Sequence, residues 1–291
     1  MSRAGNRARA LLPREARLKH EGFVTSGRRG RLLALRRPAP RWAFRLAVAA
    51  SFALVLGAWW SSSHTGWVSD IFLPTPEAVW AGGREILADG SLWPDIEASF
   101  LRVTYGFLLS AVLAIPIGVL VGALHLGEGF VQPLTEFVRY VPVPALTPIL
   151  MVVFGIDELS KVMLIFVGTY FQLVLMVADE IRRVPHELLD VASTLGARKR
   201  EVIAQVLVRS ALPGIFDALR LCNGWAWTYV IVAELVAANE GLGYRILKFS
   251  RFLQTPKIWV YLLVMGGLGL GLDVGFRLLN RRLFRWADTT R

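Results

Sequence analysis

The sequence predicts an all-α membrane protein with about six transmembrane helices. Three observations carry this. Of 291 residues, 54% are hydrophobic and only 19% charged, with a mean hydropathy of +0.48, which is not the balance of a soluble chain. Six stretches approach the roughly 20 apolar residues that a helix needs to cross about 30 Å of hydrocarbon. The net charge of +11 is also unevenly placed: residues 1–45 hold 13 Lys/Arg against Glu15 and Glu21, and the rest holds 20 of each sign.

The first stretch, Trp42 to Trp60, carries only Arg45 near its start and ends in the pair Trp59-Trp60, suited to a membrane interface. The second, Thr104 to Leu126, has Gly106, Gly118 and Gly122 at spacings that allow close helix contact. Phe137 to Gly155 contains Pro142, Pro144 and Pro148, so an interfacial or kinked helix is expected there. Val162 to Ala178, Gly214 to Val236 and Ile258 to about Leu272 complete the six.

Several function classes are excluded or left unsupported. Cys222 is the only cysteine and His20, His64, His125 and His186 are scattered, so neither a disulfide scaffold nor a metal site is expected. There is no GxxxxGK[ST] loop, so this chain is not expected to bind ATP by that route. No paired Asp motif, HExxH or GxSxG supports an intramembrane enzyme; no catalytic residue and no cofactor is expected.

Lys and Arg set the orientation. With both termini in the cytoplasm, the inside holds the basic tail, six basic residues between Asp179 and Pro213, and five from Arg277 to Arg291. Ser61 to Ser99, placed outside, has Arg84 against Asp70, Glu77, Glu85, Asp89, Asp95 and Glu97. The tail, residues 1–41, reads as an uncleaved cytoplasmic segment drawn to anionic lipid rather than a signal peptide, whose basic region would be much shorter. It lacks the aromatic interleaving that would support nucleic-acid binding. The transmembrane domain then spans 42–285, with a short C-terminal tail at 286–291.

The polar stretch Asp179–Pro213 reads as two short helices. After Pro185, the residues Leu188, Val191, Ala192 and Leu195 recur at i, i+3, i+4 and i+7, with Glu187 and Asp190 off that face. Gly196 ends this helix with a residue that accepts positive φ. Periodicity alone leaves two readings: a knob for a groove on another protein, or a hairpin packed on its own membrane domain.

At these residues a family becomes recognisable. The run from Glu187 to Ala197, with Asp190, Val191 and Ala192 followed by Gly196, resembles the EAA loop of bacterial ABC importer permeases. Phe154 to Lys161 (FGIDELSK), Ala211 to Ile215 (ALPGI) and Ala233 to Tyr244, with Glu234 and Gly241, extend the resemblance to the nitrate/sulfonate/taurine/bicarbonate branch over roughly residues 70–285. Val191 departs from the usual second Ala, and Arg209 stands where many members carry a Pro.

The resemblance implies a type I ABC importer permease fold in the bacterial inner membrane. It also implies two permease copies, two cytoplasmic ATP-binding subunits that carry the ATPase activity, and an extracytoplasmic solute-binding protein. Glu187, Asp190, Val191, Ala192, Leu195 and Gly196 would then couple to the ATPase, and Glu234 would order the outer loop.

Polar groups at membrane depth mark a candidate pathway, because each is costly unless paired or hydrated. They are Tyr140 on the third stretch, Thr169, Tyr170 and Gln172 on the fourth, and Arg220, Asn223, Trp227 and Tyr229 on the fifth. For Arg220 a local ion pair with Asp217 is the plainer reading, and for Tyr140 and its prolines an architectural kink. The outer segment Ala237–Lys257 carries Arg245, Lys248, Arg251 and Lys257 against Glu240, an excess that a docked protein or an anionic solute would answer. The solute expected is small and anionic or zwitterionic; a neutral one such as a pyrimidine precursor is the alternative, and a non-transporting scaffold a further one.

Overall fold

The computed structural model describes residues 40–236 and 238–287. The basic tail, and the reading of it as a lipid-facing segment, lie outside the described residues. The described residues form eleven α-helical elements and one π-helical turn, with no strand among them. They divide into two compact units, one ending at Val68 and one beginning at Ser69.

The first unit contributes α1 (Arg41–His64), 24 residues entered from Pro40 and closed by Thr65, whose N–H bonds Ser61 O. Its length of about 36 Å is enough for a span.

The second unit opens with α2 (Pro76–Ala88), where Thr75 accepts a bond from the Ala78 N–H and Pro76 presets the first turn. Then come α3 (Leu92–Ala123), α4 (His125–Arg139), α5 (Val143–Phe154) and α6 (Glu158–Arg182). The α4–α5 pair is bent by 102° at its break, so the proline-rich third stretch is an amphipathic helix running into a short apolar one. After α7 (His186–Thr194), α8 (Lys199–Glu201) and the π turn Val202–Leu207 lead without a break into α9 (Val208–Leu235). An amphipathic α10 (Leu242–Arg251) and the long α11 (Thr255–Leu283) complete the unit. Five helices are long and apolar enough to span, six if the bent pair counts as one, which matches the expected all-α fold.

Two boundaries differ from the hydropathy reading. α3 starts at Leu92 rather than Thr104, because Asp95 and Arg102 lower the hydropathy of its first turns and yet are buried and paired. The second loop helix does not end before Pro213; it is the start of a 37-residue helix, with Pro213 inside it. One missing N–H and the π turn are tolerated because neighbouring helices pack on both sides.

α3 and α6 form the centre. A Cβ added at Gly118 or Gly122 would come within 2.6–2.7 Å of Val177 or Ile181 and within 2.7 Å of the carbonyls of Val174 or Ala178. Only hydrogen at Cα allows these backbones to approach so closely, and the small-residue spacing read on the second stretch is used for this contact. On the opposite face of α6, Gly168 lies under the ring of Tyr229 of α9.

Candidate functional site

Three places bring functional side chains together. The first is α7, between two spans. Its C-terminus is a Schellman motif: Gly196 has φ +78, its N–H bonds Ser193 O at 3.0 Å, and the Ala197 N–H bonds Ala192 O at 3.0 Å. The four apolar residues expected on one face are divided. Ala192 is buried, whereas Leu188, Val191 and Leu195 are exposed, Leu195 at 81%. Leu189 packs toward the core beside Ala192. The helix therefore rests on its own domain by Leu189 and Ala192 and presents an apolar outer face, so each of the two readings describes one side of it. Glu187 and Asp190 are exposed.

The second place is a cleft of about 260 Å³ between the α4–α5 bend, α6 and α9. Gln172 and Tyr229 line it, with Arg139, Phe171, Trp225 and Thr228, and no carboxylate is among its lining residues. The other expected pathway residues lie elsewhere. Thr169 is fully buried and its hydroxyl bonds Ile165 O of its own helix at 2.9 Å. Tyr170 packs its ring tilted against Phe166 and edge-on to Phe171. Asn223 and Trp227 are buried, and the Trp227 indole N–H has no hydrogen-bond partner among the described residues. Arg220 turns toward α11, 3.3 Å from Asp273 and 3.6 Å from Asp217, so it is an ion-paired group. Tyr140 is exposed, its ring under the Arg139 guanidinium at 4.9 Å. Arg139 is the cleft's one cation and sequence reasoning passed over it; its position three residues before Pro142, at a break, was the available signal.

The third place is a buried ionic cluster at the other end of the bundle. Arg102 of α3 holds Glu158 of α6 through two nitrogens, at 2.5 and 2.8 Å, and Glu234 of α9 at 2.8 Å. Glu158 also accepts from Lys161 at 2.7 Å. Glu234 takes further bonds from Ser99 and the Gly243 N–H, both at 2.7 Å. Asp95, with no exposure, accepts from the Gly241 N–H at 2.9 Å, from Arg245 at 2.7 Å and from the Tyr261 hydroxyl at 2.9 Å. Glu234 thus orders the α9–α10 connection, the role its motif implied.

Part of the basic excess of Ala237–Lys257 is answered from within the chain: Arg245 pairs with Asp95 of the cluster, and Lys257, outside it, with Glu85 at 2.6 Å. Lys248 and Arg251 have no carboxylate partner among the described residues. The cluster was invisible to pattern reading because its members come from α3, α6, α9, α10 and α11, which are far apart in sequence and meet only in the fold.

A coupling-type loop, a polar cleft between spans and an all-helical frame define a membrane transport component. The chain belongs to the family of binding-protein-dependent transport system inner membrane components, whose profile matches residues 114–285. It is a permease subunit of an ABC importer, a multi-pass protein of the inner membrane. A probable ABC transporter permease protein of Brucella abortus is 36% identical over 238 residues, 82% of this chain and 94% of that protein. A putative aliphatic sulfonates transport permease protein of Bacillus subtilis is 34% identical over 237 residues, covering 81% and 86%. The fold is also that of a chain of the MetNI methionine ABC transporter in inward-facing form, with TM-score 0.57 and 18% identity over 66% of this chain and 94% of that one.

Proposed function

We propose that two copies of this chain pair about a two-fold axis to enclose a pathway for a small anionic or zwitterionic solute, of the nitrate, bicarbonate, sulfonate or taurine kind. An extracytoplasmic binding protein delivers the solute, and two cytoplasmic ATP-binding subunits supply the ATPase activity. Six spans in one chain enclose too little for a gated pathway, which favours the pair. Both termini and α7 face the cytoplasm, where most of the unbalanced Lys and Arg lie. The tail to residue 41, the transmembrane domain 42–285 and the end 286–291 then act as separate parts.

The exposed apolar face of α7 carries this reading. Leu188, Val191 and Leu195 protrude from a helix whose end is locked by Gly196, which suits insertion into a groove of an ATP-binding subunit. Glu187 and Asp190 flank that face, and buried Ala192 anchors it to the bundle. Arg139 supports the anion, since it is the only ionised group lining the cleft and stands beside the neutral donors Gln172, Thr228 and Tyr229. The named sulfonate relative agrees with that choice. Tyr140, Thr169, Tyr170, Arg220, Asn223 and Trp227 are proposed to border the pathway in the paired assembly.

Uptake by the reconstituted importer from a panel of anionic, neutral and cationic solutes tests the proposal. The expected result is a preference for a small anion or zwitterion that falls in Arg139→Gln. A preference for a neutral or cationic solute rejects the anionic reading.

A further inference from the structure

At the end of the bundle that carries α7, two clefts meet on either side of Phe284. The first, of about 290 Å³, lies between α9 and α11 and is lined by Asp217, Arg220, Arg277, Asn280 and Arg281. The second, of about 450 Å³, shares Phe284 and is lined by Arg209, Leu212, Leu283 and Trp286.

The carboxylates here do not satisfy the guanidiniums. Asp273 is shared between Arg220 at 3.3 Å and Arg277 at 2.7 Å. Asp217 accepts from Asn280 at 3.1 Å and stands 3.6 Å from Arg220 Nε. That Nε is buried and donates no hydrogen bond among the described residues. Arg281 has no carboxylate partner among the described residues. Two carboxylates thus face the four guanidiniums of Arg209, Arg220, Arg277 and Arg281, all of which line the two clefts, with Arg209, Arg277 and Arg281 exposed there to a ligand.

The second cleft differs in chemistry. Leu283 is 54% and Trp286 56% exposed, and with Leu212 they offer apolar walls one turn from the arginines. Cations beside an apolar wall and an aromatic ring, at the end of two membrane spans, match a headgroup above an acyl chain. A small inorganic anion would gain nothing from Leu212 or Leu283.

We propose that this paired cleft is a binding site for an anionic phospholipid, its phosphate held by Arg220, Arg277 and Arg281 and one acyl chain lying on Leu212 and Leu283. Of its residues only Arg220 is also proposed above to border the pathway; Arg277 and Arg281, which the test alters, are not. A bound lipid would bridge α9 and α11 at the end nearest α7, so occupancy sets how firmly these two spans are joined there.

Native mass spectrometry of the full chain, delipidated in neutral detergent and titrated with phosphatidylglycerol or phosphatidylcholine of the same acyl chains, tests this. Phosphatidylglycerol is expected to bind about tenfold more tightly, and Arg277→Gln with Arg281→Gln to remove most of that preference. Arg282→Gln with Arg285→Gln removes the same charge outside both clefts and is expected to leave the preference in place. The Lys variants at positions 277 and 281 are expected to retain most of the binding. Equal binding of the two lipids by the unaltered chain overturns the proposal, whatever the variants do. So does an equal loss in the Arg282/Arg285 pair, which would make the attraction diffuse, and so does displacement of the lipid by millimolar inorganic phosphate, which would make this a free-anion site.

Discussion

Arg102 and Glu158 join α3 to α6 through two parallel bonds, Nε to Oε2 at 2.5 Å and Nη2 to Oε1 at 2.8 Å. The two ends of this pair are unequal: the Arg102 side chain is 4% exposed and that of Glu158 is 60%. Arg102 also satisfies Glu234, which has no exposure at all, and the carbonyl of Glu240. The arginine is therefore the hub, and the outer carboxylate a rim partner.

This asymmetry predicts unequal losses. Arg102→Met leaves the buried Glu234 carboxylate without its guanidinium, which typically costs about 3–5 kcal/mol. Glu158→Gln leaves Arg102 its Glu234 partner but takes the carboxylate from Lys161, which keeps the amide oxygen as an acceptor, and is expected to cost less. Thermal unfolding of the two variants in detergent measures the difference; equal midpoints would place the hub elsewhere.

Gly241 predicts a conformational effect. Its φ of +126 is open essentially to glycine, and a Cβ would sit 2.5 Å from the Glu234 carboxyl carbon and 2.6 Å from Arg102 Nη1. Gly241→Ala is expected to lower stability and membrane yield sharply. Gly83→Ala, where the nearest atom is Val260 Cγ2 at 3.7 Å in a helix, is expected to be tolerated. Yields of the two variants, compared by in-gel fluorescence, decide the matter.

At Gly196 nothing lies within 4 Å of an added Cβ, so any effect comes from φ +78 rather than from a clash. Gly196→Val is expected to uncouple ATP hydrolysis from uptake in the reconstituted importer while the permease still inserts. Gly196→Asn, which tolerates that conformation better, is expected to keep most coupling. Unaltered uptake in Gly196→Val would remove α7 from the coupling path.

Orientation is tested by single cysteines at Ser62 and Ser193 in a Cys222→Ala background. An impermeant thiol reagent on intact cells is expected to label the first and spare the second. Equal labelling of both would overturn the assignment of α7 to the cytoplasm.

Much of the frame is legible from the sequence, because apolar runs and prolines act locally. The bend at Pro142 and the positive φ at Gly196 each follow from one residue's backbone chemistry. The start of α3 was hidden because hydropathy counts Asp95 and Arg102 as solvent-facing, whereas their partners on α6, α9, α10 and α11 make burial tolerable. Arg139 was hidden for a related reason: that it lines a cleft depends on the size of that bend, 102°, and on which helices it faces, and a proline marks only that a bend occurs.

The unbroken run Lys199–Leu235 has a mechanical consequence. Thirty-seven helical residues make a rod of about 55 Å, which starts beside α7, passes the cleft at Trp225 and Tyr229, and ends at Glu234 in the ionic cluster. A tilt imposed at one end is transmitted to the other with no intervening joint except the wide turn at Val202–Leu207. Stiffness of that turn would thus set the mechanical gain between the two ends, and variants that shorten it to regular α-helix would alter stroke length without touching solute, nucleotide or docking surface.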